Sequence, residues 1–390
     1  MTHLHLGCTP WRFPLAGGAD ALARQAALAE ELGYESFWLP EHHFGTDAIP
    51  EPLMLLAAVA ASTRRIRLAT TSYLLPLRQP LQAAAQVAVL DQLSGGRVIL
   101  GVGRGFVPEL FEAFQVKRSE KRELFAECLA AMRAAWAGEP VGSSGVRLMP
   151  EPVQKPHPPV WVAALGPKAL AQAGSLGLPY LASPMETLET LADNYARYRA
   201  ACTGAGHPLP DAVPVMRTIF VSDDSARIAR VRELLERRMT AMQQQSSALV
   251  RTLPRRLDDW AIVGSPRQVR DAIARYRERL GMTHLVATRL LLADTDGAEY
   301  EDSLRALVEL ASALSAWVGI RGSAFMPTTA FPNSRVAMNG DLRGVGRHSW
   351  VGIRGSAFMP TTLHSTAAPG RRNAARARGD DPLRAHRCAP

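Results

Sequence analysis

Residues 66–105 read IRLATTSYLLPLRQPLQAAAQVAVLDQLSGGRVILGVGRG. Two apolar runs, 66–75 and 97–102, flank a helix-length stretch at 81–93. Neither run alternates apolar with polar residues, so each suits a parallel strand covered on both faces. Pro80 stands just ahead of the helical stretch, and Gly95 and Gly96 stand just after it, as helix starts and stops require. The segment therefore reads as strand, helix, strand, closing on the glycine-rich GVGRG.

The same unit recurs in both directions. Runs at 4–9, 36–39, 160–164, 180–182, 215–221 and 285–292 read as further strands. Stretches at 20–32, 53–61, 121–137, 167–175, 188–201, 226–244, 266–280 and 300–316 read as helices between or after them. Eight strands, each followed by helical sequence, predict an α/β fold: a (β/α)8 TIM barrel with insertions over residues 1–316. An open doubly wound sheet is the alternative, but its usual G-x-G-x-x-G after the first strand is missing. Residues 139–158, punctuated by Pro and Gly, read as an inserted hairpin, and 246–265 as a second irregular stretch.

The chain has 390 residues and a formal net charge of +9. Eight of those charges fall on residues 317–390, which hold 11 Arg, no Lys and three Asp. The remainder is nearly neutral, so nucleic-acid recognition by the body of the protein is not expected, and the basic tail reads as a solvated segment. Within the tail, WVGIRGSAFMPTT occurs twice without a mismatch, at 317–329 and 350–362. Repeat folds diverge in sequence and need about three units, so residues 317–390 read as a low-complexity, disordered tail. No stretch approaches the roughly 20 apolar residues of a membrane span, and no signal segment is evident, so a cytoplasmic protein without membrane contact is expected. Cys8, Cys128, Cys202 and Cys388 form no C-x-x-C pair, which argues for reduced thiols.

Chemistry in a barrel sits at the carboxyl ends of the strands. Three unusual segments fall there: Glu41-His42-His43, Thr70-Thr71-Ser72, and Gly101-Val102-Gly103-Arg104-Gly105. Gly103 and Gly105 allow backbone to approach a flat ligand or a phosphate, and Arg104 offers a guanidinium fork for phosphate; a tight turn with a surface Arg is the plain reading. A histidine at a strand end serves as proton donor or acceptor near neutral pH. For His43 the plain reading, a packed or hydrogen-bonded side chain, is preferred. Glu41 either orients His42 or is a rim carboxylate. His3, His5, His157, His207 and His284 supply no H-x-x-x-H spacing, so no metal site is expected.

Four segments then carry a resemblance: WLPEHHF, TTSYLLPLRQPLQAAAQVAVLDQLSGGRVILGVGRGF, PPVWVAALGPKALAQA and VGSPRQVRDAIARYRERLGMTHLVATRLL. Over about residues 3–315 the chain resembles the bacterial luciferase-like flavin-dependent monooxygenase family. The resemblance implies a barrel that binds reduced FMN at the carboxyl ends of its strands. It implies a separate flavin reductase, O2 and a small-molecule substrate as partners, and it allows a homodimer. His42 matches the family's catalytic histidine, with Glu41 beside it. Arg104 matches the arginine at the flavin phosphate, and Gly103 and Gly105 flank it. Thr71 and Ser72 fall where a non-proline cis peptide underlies the ring. After the fifth strand, where relatives carry small hydroxyl residues, this chain has Leu165-Gly166-Pro167-Lys168, which leaves backbone amides near Gly166 and Lys168, plus the Lys168 charge, for the phosphate. Tyr73, Trp11 and Phe106 are candidate pocket linings, and 106–120 and 246–265 candidate covers. Two other readings are a deazaflavin-dependent hydride-transferring oxidoreductase within the family and, from another class, a non-catalytic flavin-binding protein.

Overall fold

The computed structural model describes residues 3–12, 18–45, 48–244, 256–290, 292 and 296–322. The first half of the described chain runs β1 (His5–Cys8), α1 (Gly18–Leu32), β2 (Ser36–Leu39), α2 (Pro52–Ser62), β3 (Arg67–Thr70), β4 (Tyr73–Leu74), α3 (Pro80–Ser94), β5 (Val98–Gly103), α4 (Pro108–Ala113) and α5 (Lys121–Trp136). The second half runs β6 (Val160–Ala163), α6 (Pro167–Ser175), β7 (Tyr180–Leu181), α7 (Leu188–Gly204), β8 (Pro214–Val221), α8 (Ser225–Gln243), β9 (Ala261–Gly264), α9 (Pro266–Leu280), β10 (His284–Thr288) and α10 (Gly297–Gly322). The strands form one parallel, curled sheet in the order β7-β6-β5-β3-β2-β1-β10-β8-β9, with β4 paired to β5. This is the expected TIM-barrel-like α/β fold.

Three details depart from the sequence expectation. The run 66–75 is broken into β3 and β4 by a cis peptide bond between Thr71 and Ser72. Residues 261–264, read as irregular, form β9 alongside Thr218–Val221 of β8; four residues, AIVG, are too short a run to stand out from a loop. The last helix continues past Ala316 to Gly322. The tail expectation for residues 323–390, and the cover expectation for 246–255, lie outside the described residues.

Alternation along the strands sorts the core into two layers. Trp38, Ala69, Ile99, Trp161, Leu181, Met216 and Val286 come from β2, β3, β5, β6, β7, β8 and β10 and form a separate cluster, the filling of the barrel. On β1 the inward position is Gly7, where a Cβ would meet Ser36 Oγ at 2.5 Å and Trp38 Nε1 at 2.7 Å. The Trp38 indole takes the space that a β1 side chain would fill. The outward residues, such as Phe37, Leu68, Leu100 and Val162, pack beneath the helices.

Among the described residues, β7 and β8 share no ladder of hydrogen bonds, and side chains close that seam. The Tyr195 hydroxyl lies 3.2 Å from the Tyr180 carbonyl and 2.8 Å from the Pro214 carbonyl. The fully buried Arg217 guanidinium donates to the Tyr276 hydroxyl and to the carbonyls of Ser183, Met216 and Glu186. Every one of these hydrogen-bond partners is neutral, so oriented dipoles hold the guanidinium, with the half-buried Glu186 carboxyl near enough to act on it through charge. Cys8, Cys128 and Cys202 are buried free thiols, and burial pushes Cys128 up to about 12. No helix among the described residues is long and apolar enough to cross a membrane.

Candidate active site

The carboxyl ends of β2, β3, β4, β5 and β6 carry the candidate residues. After β2, Glu41 turns inward and loses all side-chain exposure, while His42 faces outward. The backbone of His42 is fixed by an isolated antiparallel bridge to Ile49, with N–H···O distances of 3.1 and 2.8 Å. Its imidazole has no hydrogen-bond partner among the described residues and is free to meet a ligand at the mouth.

Glu41 makes no hydrogen bond to His42. Its carboxylate accepts from the Leu74 amide at 3.0 Å, from Arg78 Nη2 at 2.6 Å and pairs with His43 Nε2 at 2.7 Å. Burial raises the Glu41 carboxyl above its usual value, against the opposing pull of Arg78, the Leu74 amide and His43. Arg78 continues to Glu51 at 2.6 Å and lies 4.4 Å above the Tyr73 ring. The group ties the β2 loop to the β4 segment, and His43 belongs to it, as the plain reading of that residue has it. Arg78 carried no signal in the sequence, because a buried ion pair across 37 residues leaves no periodic trace.

Thr71 and Ser72 meet the Gly-rich strand end. A Cβ on Gly101 would lie 1.9 Å from the Thr70 carbonyl oxygen, and one on Gly103 would lie 2.1 Å from Ser72 Oγ. Both glycines are therefore set by the close passage of the β3–β4 corner over β5. The Thr71 hydroxyl lies 3.2 Å from Met216 Sδ, directly above the barrel filling, so Thr71 forms part of the floor of the mouth.

Arg104 is half-buried, and its Nη1 donates to Gln172 Oε1 at 3.0 Å. Burial, and then the neighbouring Arg122, hold the guanidinium below its ordinary value. Lys121 is likewise lowered, first by burial and then by Arg118, Arg104 and Arg122; its ammonium donates to the Gly105 carbonyl at 3.2 Å. Among the described residues no carboxylate pairs with Arg104, Lys121 or Arg122. Gln172 sits on α6, whose N-cap Gly166 (φ +83°) gives no side-chain cap and whose first residue is Pro167. Lys168 is exposed in the same first turn. A compact cationic group with no acidic partner among the described residues stands beside a helix start where Pro167 has no N–H and the Ala169 and Leu170 amides bond the Gly166 carbonyl, which leaves the Lys168 amide for an anion; the group fits a phosphate. Leu165, at the position of the missing hydroxyl, is exposed on the rim.

The rim is otherwise apolar. Phe44, Phe106, Phe114 and Leu165 are exposed, and Phe114 meets the His43 ring edge-on at 4.8 Å. Of the candidate linings, Phe106 is at the rim. Tyr73 and Trp11 are core: their polar atoms are spent on Gln86 and Glu301. Within 106–120, the short helix α4 anchors through Leu110 and Phe111 beside Gly105.

Residues 6–284 match the family description "Luciferase-like monooxygenase". The 4-hydroxyprotoasukamycin monooxygenase of Streptomyces nodosus subsp. asukaensis is 30% identical over 261 residues, covering 63% of this chain and 67% of that protein. The crystal structure of monooxygenase RslO1 from Streptomyces bottropensis superposes with a TM-score of 0.67 at 27% identity, covering 80% of this chain and all of that one. The oxygenating constituent of 3,6-diketocamphane monooxygenase from Pseudomonas putida, solved in complex with FMN, gives 0.66 at 20% identity over 80% of this chain and 99% of that one. Proteins of this fold bind FMN in some cases and coenzyme F420 in others.

Proposed function

The chain belongs to the luciferase-like monooxygenase family, and from that premise we propose that it is a flavin-dependent monooxygenase using reduced FMN and O2 to oxidise a small organic substrate, with the reduced flavin supplied by a separate reductase. The observation that carries the reading is the half-buried cationic group around Arg104, which among the described residues has no carboxylate partner and stands on the same rim as the exposed His42. Arg104, Lys121 and the backbone amide of Lys168 at the start of α6 would hold the FMN phosphate, and the Lys168 ammonium adds charge. Gly103 at the end of β5 and Gly105 in the turn after it leave room for close approach, and Thr71 with Ser72 would form the floor on which the flavin rests. Reduced FMN, when bound, supplies the electrons that activate O2. His42 holds or delivers a proton at its free imidazole nitrogen where substrate and cofactor meet. Phe44, Phe106, Phe114 and Leu165 exclude water from that meeting point, which limits loss of reducing power to H2O2. Glu41, buried against Arg78 and His43, positions the loop that carries His42 rather than exchanging protons with substrate. A homodimer would cover Met54, Val89 and Leu93, exposed apolar residues on the outer sides of α2 and α3.

The test is O2 uptake by the purified protein supplied with reduced FMN and a panel of small organic substrates. Substrate-dependent uptake with an oxygenated product supports the reading. Oxidation of an alcohol with a deazaflavin, and none with FMN, would move the protein to the hydride-transferring branch. Tight FMN binding with no turnover on any substrate would leave a binding protein.

A further inference from the structure

At the opposite end of the barrel, the amino-terminal mouth holds a polar cluster that the flavin chemistry does not use. His3 and His5 are separated by one residue on an extended segment, so their side chains share a face. Glu35, just ahead of β2, reaches both: His3 Nε2 lies 2.7 Å from Glu35 Oε1, and His5 Nδ1 lies 2.5 Å from Glu35 Oε2. The three donor atoms lie within 4.8 Å of one another.

We propose that His3, His5 and Glu35 bind a divalent first-row transition ion of the zinc class at the amino-terminal mouth of the barrel. Two imidazole nitrogens and a carboxylate are the donor set that such an ion prefers, whereas Mg2+ and Ca2+ prefer oxygen alone. The scaffold is already organised. The Glu35 amide donates to the Leu6 carbonyl at 2.8 Å, and its carbonyl accepts from the Arg67 amide at 2.9 Å, so its backbone is fixed between β1 and β3. The His5 ring stacks on His284 at 4.5 Å and 21°, and His284 in turn meets Trp161 edge-on at 5.1 Å. The Thr283 hydroxyl lies 2.8 Å from His284 Nδ1 and fixes that ring behind His5. Donors around a tetrahedral zinc stand about 3.3 Å apart, so on binding the 2.5 and 2.7 Å His–Glu separations open by about 0.6–0.8 Å and the widest donor pair, within 4.8 Å, closes by up to about 1.5 Å, a side-chain adjustment available to the exposed His3. Side-chain exposures of 60% for His3, 39% for His5 and 40% for Glu35 leave an entry path and room for water ligands. The ion joins the start of β1 to the turn before β2 and lies on the stability face of the barrel, not its catalytic face.

The experiment is titration of the full, untagged chain with Zn2+ against a chromophoric chelator, together with melting curves in Zn2+ and in Mg2+. One equivalent of Zn2+ is expected to bind at micromolar or tighter affinity and to raise the melting temperature, with no rise in Mg2+. His5→Ala and Glu35→Gln should each weaken Zn2+ binding at least tenfold, and His3→Gln, at the exposed edge, should do so without loss of folding. Absence of stoichiometric binding, or binding unchanged in His3→Gln and Glu35→Gln, overturns the proposal. Flavin-dependent O2 uptake is not expected to change in any of the three variants, so this test stands apart from the proposed function.

Discussion

His42 presents an imidazole to the barrel mouth without a partner among the described residues, so its removal disturbs little of the fold. His42→Ala is expected to keep flavin binding and lower turnover by about 10²-fold or more, the scale of losing a general acid or base; steady-state rates beside flavin titration check both halves. Arg104 differs in kind, because among the described residues its guanidinium hydrogen-bonds only the neutral Gln172. Arg104→Ala should weaken reduced FMN by about 1.5–3 kcal/mol, the scale of one hydrogen bond to a charged group, and riboflavin, without a phosphate, by much less. Equal losses for the two ligands would show that Arg104 does not contact phosphate. Much of this site is legible in the sequence because strand ends are punctuated by residues, such as EHH and GVGRG, that make poor strand interior. Arg78, Gln172 and Lys121 are not legible in that way. Their roles exist only because the turn after β4, α6 and α5 bring them to the rim.

Elements here are spaced by their small residues. In β5, Gly101 lies so close to β3 that a Cβ would stand 1.9 Å from the Thr70 carbonyl, a backbone atom with no rotamer to escape into. Gly101→Ala should therefore cost about 3 kcal/mol, at the upper end of overpacking penalties, and lower the melting temperature by several degrees. Gly204, the last residue of α7, meets nothing within 4 Å of a built Cβ. Gly204→Ala should be neutral or stabilise by up to about 1 kcal/mol, because alanine loses less backbone entropy on folding. Opposite signs in two melting curves are the expected outcome, and a destabilised Gly204→Ala with an unaffected Gly101→Ala would refute it. The longer helices were readable because each presents an apolar stripe over several turns, whereas the six-residue α4, inside the stretch read as a cover, was not. The short strand β9 was not, since AIVG acquires its meaning only from lying beside Thr218–Val221.

At the scale of the whole molecule, the packed core of the described residues ends at Ala311, and the final helix ends at Gly322. Residues 323–390 are rich in Arg, Gly and Pro and include the whole second copy of the 13-residue string. Truncation after Gly322 is expected to leave flavin binding and melting temperature nearly unchanged. A drop of more than about 5 °C, worth over 1 kcal/mol for a domain of this size, would assign the tail a structural role. The α/β class, the positions of the long helices and the strand ends that carry the candidate residues are legible in the sequence, because these follow from local periodicity and from residues that end strands and helices. Which carboxylate faces which cation emerges only in the folded chain. The sequence left Glu41 open between orienting His42 and standing as a rim carboxylate; the fold turns it inward to Arg78 and His43. Likewise, His3 and His5 carried no metal spacing in the sequence, yet the fold brings Glu35 to both. The physical reason is that hydrogen bonds and ion pairs are short-ranged contacts between groups remote in sequence. Their partners are chosen by the closure of the sheet, which no local pattern records.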